Sequence, residues 1–561
     1  MIKEILDDEN LSGKRYWKSL DDLADTPSFK SWVEREFPEG ASMLEGVQRR
    51  GFMKLMAASF GLAGLGITGC RRPEHTILPY GKSPEELIPG IPNYYATSMP
   101  SGHGSIPLIV ESHSGRPTKI EGNPSYIPFG GATNIYAQAS VLDIYDPDRS
   151  KTSIKKSEGK WDTIESIQIL DQVKNWQTDG KVAIIAEKSF SNARSTLSKK
   201  LISQGVSWFE HEPIDLTQAE HKLGDSLGLK EGVRLIPNFS KASRILSLDS
   251  DFLGNREPNS LGNTRSLMKG RKVLSPSDAK KMNRVYSVES DLTITGGVGD
   301  HRLRLNSSQF SAFSYLLISE ILKILGNSTP SLIKNLQSRG VSLKKHSKWI
   351  SECAKDLCKK PNKSIVVPGN HLPADVHLLC YVINQELGAI GNSVSYLLTP
   401  EKSSSLSDFA DMALDGKFNS LIILGGNPVI SSSLDWNKIS ESIKNKLHIG
   451  HSFNESSDIC DLHAGQSHYL ESWDDGSTWD GKAIVPVQPL IAPLFDTISD
   501  LDLLLSLSGS DTKSHDYVKS LHDSRNSNTS FKSFLRLGID KITPSYHSKI
   551  SSVENLSSLQ S

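Results

Sequence analysis

Two periodicities alternate along most of this chain. Short continuous apolar runs are separated by segments whose apolar positions return every third or fourth residue. The first kind reads as a strand buried on both faces, the second as a helix with one face on a core. KVAIIAEK (181–188), VSWFEH (206–211) and RILSLDSDF (244–252) are predicted strands, and FSNARSTLSKKLISQ (190–204) is a helix between the first two. FSAFSYLLISEILKILG (310–326) is a strongly amphipathic helix. A second series opens at SIVVPG (364–369) and runs through a helix over 374–387 and the strand SVSYLLT (393–399). It continues with a helix near 406–413, then the strands SLIILGGNP (420–428) and KLHIGHS (446–452). Two successive strand/helix series predict an α/β protein with two doubly wound parallel-sheet domains.

In such sheets ligands sit beyond the carboxyl ends of the strands. That rule singles out Gly425, Gly426, Asn427 and Pro428 after one strand, and Gly369, Asn370 and His371 after another. Ahead of both series, LIVESHSGRPTKIEGNPSY (108–126) reads as short strands around a turn at Ser114-Gly115-Arg116-Pro117, which predicts a small, mostly β domain. No GxxxxGK[ST] phosphate loop and no HExxH pattern occurs, and no internal repeat is evident.

The start of the chain follows another pattern. Thr26 and Pro27 read as a helix cap and first turn, and Phe29, Trp32, Val33 and Phe37 follow at helical spacing. QRRGFMKLMAASFGLAGLGITGC (48–70) then pairs Arg49-Arg50 with a weakly apolar run of 15 uncharged residues before Cys70. That run is short of the roughly 20 residues a bilayer span needs, and Gly61, Gly64, Gly66 and Gly69 weaken it as a core helix. It fits a twin-arginine export signal, and Gly69-Cys70 fits a lipoprotein cleavage box with Cys70 as the acylated residue.

The 561 residues exceed one ordinary domain, and 63 basic against 64 acidic residues leave a formal net charge of -1. Without a basic run, electrostatic capture of nucleic acid has no footing. Five scattered cysteines make neither a disulfide framework nor the tight four-thiolate set of an iron–sulfur ferredoxin.

Several stretches carry a family. GRPTKIEGNP (115–124), IYDPDR (144–149) and ILGGNP (423–428) resemble the molybdopterin oxidoreductases. A narrower set runs in order: YWKSLDDLADTPSFKSWVEREFPEGAS (16–42), LSLDSDFLG (246–254), NRVYSVESDLTITGGVGDHRLRL (283–305), NQELGAIGNSVSY (384–396), HYLESWDDGST (468–478) and VQPLIAPLF (487–495). It resembles the large iron–sulfur subunit of alternative complex III, the twin-arginine-variant translocated molybdopterin oxidoreductases. The resemblance implies a molybdopterin-oxidoreductase-like fold and a place on the periplasmic face of the bacterial inner membrane, reached by the twin-arginine route. It implies a complex that oxidises quinol and reduces cytochrome c or another acceptor. Its large subunit is a scaffold of molybdopterin fold without its own cofactor. Iron–sulfur clusters and haem c are expected in partners: a ferredoxin-like iron–sulfur subunit, a multihaem cytochrome c, and polytopic quinol-binding membrane subunits. The alternatives are an oxidoreductase that keeps a molybdopterin guanine dinucleotide, and a truncated lipoprotein that does not assemble. The expected division is an extension (1–48), the signal (49–72), the small β domain (73–150), two α/β domains (151–360 and 361–510) and a tail (511–561) in place of a ferredoxin-like half.

Between Cys70 and Cys353 there is no cysteine, so neither a cluster nor a cysteine molybdenum ligand belongs in the small domain. Cys460, His463 and His468, with His451 and Asp458 near, suggest zinc but lack a recognised spacing and read as a polar loop. Cys353 and Cys358 point to different faces of one helix and read as structural thiols. Asp249 and Asp251 at a strand end read as turn caps, and Asp300-His301-Arg302 as a buried structural network. No residue is assigned as catalytic.

Overall fold

The computed structural model describes residues 88, 90–328, 343–525, 527 and 529–547, together with Thr26 and Pro27. The chain divides into two units, Met1–Glu85 and Glu86–Ser561, and the fold below is that of the second. Arg49, Arg50, Cys70 and the helix around Trp32 lie outside the described residues.

The apolar runs become strands close to the expected bounds. Val182–Ala186 and Ser420–Leu424 are buried at every position and pair in parallel, Ala183 beside Leu421 and Ile185 beside Ile423. Their side chains alternate between two cores. Val182, Ile184, Ile422 and Leu424 enter one, and Ala183, Ile185, Leu421 and Ile423 the other. Covering a sheet on both faces is what turns a period-two strand into a continuous apolar run.

The main sheet has the order Lys160–Ile164, Ser153–Ser157, Leu462–Gln466, Asn445–Gly450, Ser420–Leu424, Val182–Ala186, Ser207–Glu210, with Thr497–Ile498 beside Leu462–Gln466. The first two strands form an antiparallel hairpin, and the other five are mutually parallel. Numbered along the chain, those five read 2-1-3-4-5, a doubly wound order whose switch point lies between strands 1 and 3. A second parallel sheet has the order His301–Arg304, Arg284–Glu289, Arg244–Leu248, Ser364–Pro368, or 3-2-1-4 along the chain. Its switch point lies between Arg244–Leu248 and Ser364–Pro368.

This topology corrects the expected division at residue 360. The second sheet is inserted into the first, between Ser207–Glu210 and Ser420–Leu424, and Ser364–Pro368 pairs with Arg244–Leu248 rather than with the strands that follow it. The strand Val394–Glu401 belongs to neither parallel sheet; it pairs antiparallel with Glu231–Pro237. The inserted domain keeps its own core, in which Phe310, Phe313 and Ile318 of the helix Phe310–Leu325 are buried. That helix stops at Gly326, which takes a left-handed φ of +76° while Asn327 N donates to Leu322 O at 2.9 Å.

The small β domain is the antiparallel sheet Asn93–Met99, Ile106–His113, Arg116–Gly122, turned at Ser114 and Gly115 with φ of 51° and 82°. It also recruits distant chain. Leu470, Ala483 and Val485 share its core with Leu108 and Ile120, and Ser98 Oγ donates to Pro486 O at 3.0 Å. Nor is the stretch after 510 a tail. Ser514–Ser524 and Phe531–Leu537 are helices, Phe534 is fully buried, and Asp540–Lys541 pairs with Ala483–Val487. None of the described helices is long and apolar enough to cross a membrane.

Candidate functional site

At the main switch point two turns face each other. Glu187 follows Val182–Ala186, and its N–H donates to Leu424 O at 3.2 Å. Gly425 and Gly426 follow Ser420–Leu424 with φ of +77° and +66°, and Gly425 N donates to Ile449 O at 2.8 Å. A Cβ on Gly425 would collide with the Glu187 carboxyl, so glycine is required there both for φ and for close approach. The strand ends named from the sequence, Gly425 to Pro428 and Gly369-Asn370, do fall at the carboxyl edges of their sheets. Asn427 turns away: its Nδ2 donates to Glu455 and its Oδ1 accepts from Ser456.

A cavity of about 730 Å³ opens at this edge. Seven carboxyls face it, those of Asp143, Asp146, Asp148, Glu187, Glu212, Asp474 and Asp500, against three cations, Arg149, Lys188 and Arg194. Each cation already holds a carboxylate: Arg149 grips Glu471 through two bonds of 3.1 and 2.7 Å, Lys188 lies 3.3 Å from Asp215, and Arg194 3.1 Å from Asp500. Burial lifts Glu187 to about 7, and burial with the neighbouring Asp475 charge lifts Asp474 to about 8. Both carboxyls therefore hold a proton for part of the time near neutral pH.

Behind the glycine turn lies a directed hydrogen-bond chain. His448 Nε2 meets Gly426 O at 3.1 Å, and a carbonyl can only accept, so Nε2 carries the proton. Burial lowers His448 to about 4, so the ring is neutral and its Nδ1 is an acceptor. His463 Nδ1, 3.2 Å away, and Ser457 Oγ, at 2.8 Å, face that acceptor. His463, lowered to about 3 by burial, then presents Nε2 to the Ser150 hydroxyl at 2.7 Å. His463 thus sits in the strand Leu462–Gln466 and not in the polar loop expected for it. His468 is buried and its Nδ1 accepts from Leu470 N, and Cys460 is a buried free thiol. Among the described residues no group of three or more His, Cys, Asp or Glu side chains is placed to hold a metal ion.

The switch point of the inserted sheet is tighter. Asp249, directly after Arg244–Leu248, is held at a φ of +47°, a conformation disfavoured for any residue with a Cβ. Its carboxyl accepts from Ser290 N at 2.8 Å and faces His371 Nε2 at 3.0 Å. Burial works against ionisation, but the bonds from His371 and Ser290 hold the carboxyl below its ordinary range. Asp251 accepts from Thr295 N and Thr295 Oγ1, both at 2.9 Å. Both aspartates thus tie the turn to the neighbouring strand's exit, where local caps were expected. The space beside this switch point is only about 60 Å³. Asp300-His301-Arg302 is not buried. It lies exposed on the edge strand, where Asp300 pairs with Arg271, Arg302 pairs with the buried Glu289, and His301 stacks on Tyr286. Cys353 is buried and Cys358 half-buried on the helix Ser347–Cys358, both free thiols, as expected for two faces.

Sequence reasoning passed over Glu187, Asp474 and His448. Glu187 ends an apolar run and His448 interrupts one, which are the only local signals, and Asp474 carries none.

No protein-family model matches the chain, and no curated protein matches it by sequence. Its structure is similar to that of acetylene hydratase from Pelobacter acetylenicus, with a TM-score of 0.59 at 11% sequence identity, covering 80% of this chain and 74% of that one. The likeness is one of fold: the chain has the mixed α/β architecture of a molybdopterin-fold protein, with two doubly wound parallel sheets and a small β domain.

Proposed function

We propose that the chain is an exported, membrane-associated subunit of a respiratory quinol:electron-acceptor oxidoreductase complex, acting as a molybdopterin-fold scaffold without a pterin cofactor of its own. The acid-lined cavity at the main switch point carries this reading. A pterin dinucleotide brings pyrophosphate, which needs free backbone N–H groups or unpaired cations. Here the Glu187 carboxyl lies over the glycine pair, the turn runs into Pro428, which has no N–H, and Arg149, Lys188 and Arg194 are already paired. The Glu187 carboxyl, partly protonated near neutral pH, occupies the space over the glycines, and in its ionised form it would repel an anionic oxygen about 4 Å away by about 4 kcal/mol at an effective dielectric of about 20. The other switch point offers about 60 Å³, against roughly 300–1,000 Å³ for cofactor pockets. The residues present do not fit the group, and no chemical step is assigned to it.

The ordered motifs from 16–42 to 487–495 support the assignment to the complex, and Arg49-Arg50 supports the twin-arginine route to the periplasmic face. An acyl chain on Cys70 would add only marginal membrane hold, so partners must anchor the chain. Clusters and haem c then reside in the ferredoxin-like and multihaem cytochrome c partners, beside polytopic quinol-binding subunits. This chain's work is to hold those partners in place. The test is purification from native membranes. The expected result is a multihaem cytochrome and quinol-binding subunits in the same fraction, with molybdenum far below one per chain. Stoichiometric molybdenum would replace the scaffold with a molybdopterin guanine dinucleotide enzyme. Recovery of the chain alone would replace the complex with an unassembled lipoprotein.

A further inference from the structure

Around the smaller cavity the hydrogen-bond inventory does not close. Arg234 is 3% exposed. Its Nε donates to Glu220 Oε1 at 2.6 Å and its Nη1 to Trp479 O at 2.7 Å, while the rings of Phe190 and Trp479 lie 4.9 and 5.5 Å from the guanidinium carbon. Its Nη2 has no partner among the described residues. Glu220 Oε2, His103 Nδ1 and His377 Nε2 are also buried without one. All four side chains line the same space, at the carboxyl end of Ser364–Pro368. A buried polar atom left unpaired costs about 1–3 kcal/mol, and native proteins hold only a few in about a hundred residues. Four around one cavity call for an occupant.

We propose that this cavity binds a small, uncharged polar molecule of the primary-amide or urea class, its carbonyl oxygen on Arg234 Nη2 and its N–H groups on Glu220 Oε2 and His377 Nε2. Size, charge and polarity each point there. A volume of about 60 Å³, at roughly 10–15 Å³ per water-sized body, takes about four to six heavy atoms. The Arg234 and Glu220 charges cancel, and burial keeps both histidines neutral, His377 at about 4. The backbone at Gly369 and Leu372 takes the His377 Nδ1 proton, which leaves Nε2 a bare acceptor. Arg234 Nη2 as donor and Glu220 Oε2 and His377 Nε2 as acceptors match an amide, with His103 Nδ1 beside them able to take either role. An anion would set its charge against Glu220, and a cation its charge against Arg234. Glu257, lifted to about 7 by burial, lines the same space and can donate or accept. The site does not depend on the assembly role proposed above.

The probe is acetamide, with acetate and guanidinium as charged molecules of the same size, added to the full chain and followed by calorimetry and by crystal soaking. The expected result is saturable acetamide binding, at least tenfold weaker in His377→Leu, and no saturable binding of either ion. Acetamide should bridge Arg234 and Glu220 in the soaked crystal. Ordered waters alone, equal binding of acetate or guanidinium, or unchanged affinity in a folded His377→Leu protein would overturn the proposal. Should that variant fail to fold, the soaked crystal of the unaltered chain decides alone.

Discussion

Arg149 and Glu471 stand 322 residues apart and form a bidentate ion pair whose side chains are 3% and 0% exposed. Arg149 also donates to Ile144 O at 2.9 Å, and Glu471 accepts from His468 N at 2.9 Å and Leu494 N at 3.1 Å. With both charges out of water, removing one strands the other, at a cost of about 3–5 kcal/mol. Arg149→Met should reach that range, because Glu471 keeps only two backbone donors. Glu471→Gln should fall at its lower end, because the amide keeps the shape and one acceptor. The double variant should recover most of the loss, since no unpaired charge remains. Urea unfolding of all four proteins, read by tryptophan fluorescence, measures the cycle. Burial opposes ionisation of Glu471, but Arg149 and the backbone donors hold its carboxyl below the ordinary range. The pair's contribution is therefore complete above a pH of about 4.3 and fades as pH falls through the lower folded value. Single variants within 1 kcal/mol of wild type, or additive losses in the double variant, would refute the argument.

Gly425→Ala should destabilise by about 2–3 kcal/mol, about 1–2 of it from the positive φ and the rest from contact with Glu187. Adding Glu187→Ala should return only the contact part in urea titrations; no recovery would place the strain elsewhere. His448 is fully buried with its pKa lowered to about 4, so below a pH of about 6.5 the unfolded chain binds a proton that the folded chain does not. Stability then falls with pH between those values by about 1.4 kcal/mol per unit for this ring. The carboxyls raised at Glu187 and Asp474 have the opposite sign, so the readout is the difference between wild type and His448→Gln across pH 4–6.5, which cancels them. Burial raises the thiols of Cys353, Cys380 and Cys460, and lifts Cys358 to about 11. A thiol reagent at pH 8, with labelled peptides located by mass spectrometry, should modify these four only after denaturation.

Strands and helices were legible where one local pattern sufficed. The runs at 182–186, 364–368 and 420–424, the helix over 310–325 and the glycine ends all follow from spacing and turn chemistry. Partnership was not legible. A continuous apolar run states that a strand is buried on both faces, but not which neighbour lies beside it. The insertion of one sheet into the other therefore stayed hidden, and so did the separate pairing of Val394–Glu401. Residues 514–541 read as a tail because only a few apolar side chains, Val518 and Phe534 among them, anchor two short helices. The edge strand His301–Arg304 failed in the opposite sense: its charged triplet looked like a buried network, but an edge leaves one side of a strand to solvent.

The site was half legible for the same reason. Gly425 and Gly426 announce a strand end where a ligand could approach, and they do sit at the switch point. What approaches them is Glu187, a residue that looks like a surface charge ending the run KVAIIAEK. It lies over the glycines only because the first and third strands of the main sheet are neighbours in space, with the whole inserted domain between them in the chain. A glycine turn therefore marks where the backbone leaves room, while the side chain that takes the room comes from the neighbouring strand. On this fold the glycines remain and a carboxyl fills the space. Glu187→Ala separates the two contributions. If the carboxyl is what excludes polyphosphate, the variant should gain measurable binding of inorganic pyrophosphate by calorimetry. If the closed geometry excludes it, wild type and variant will bind equally little, and the charge argument for a cofactor-free scaffold fails.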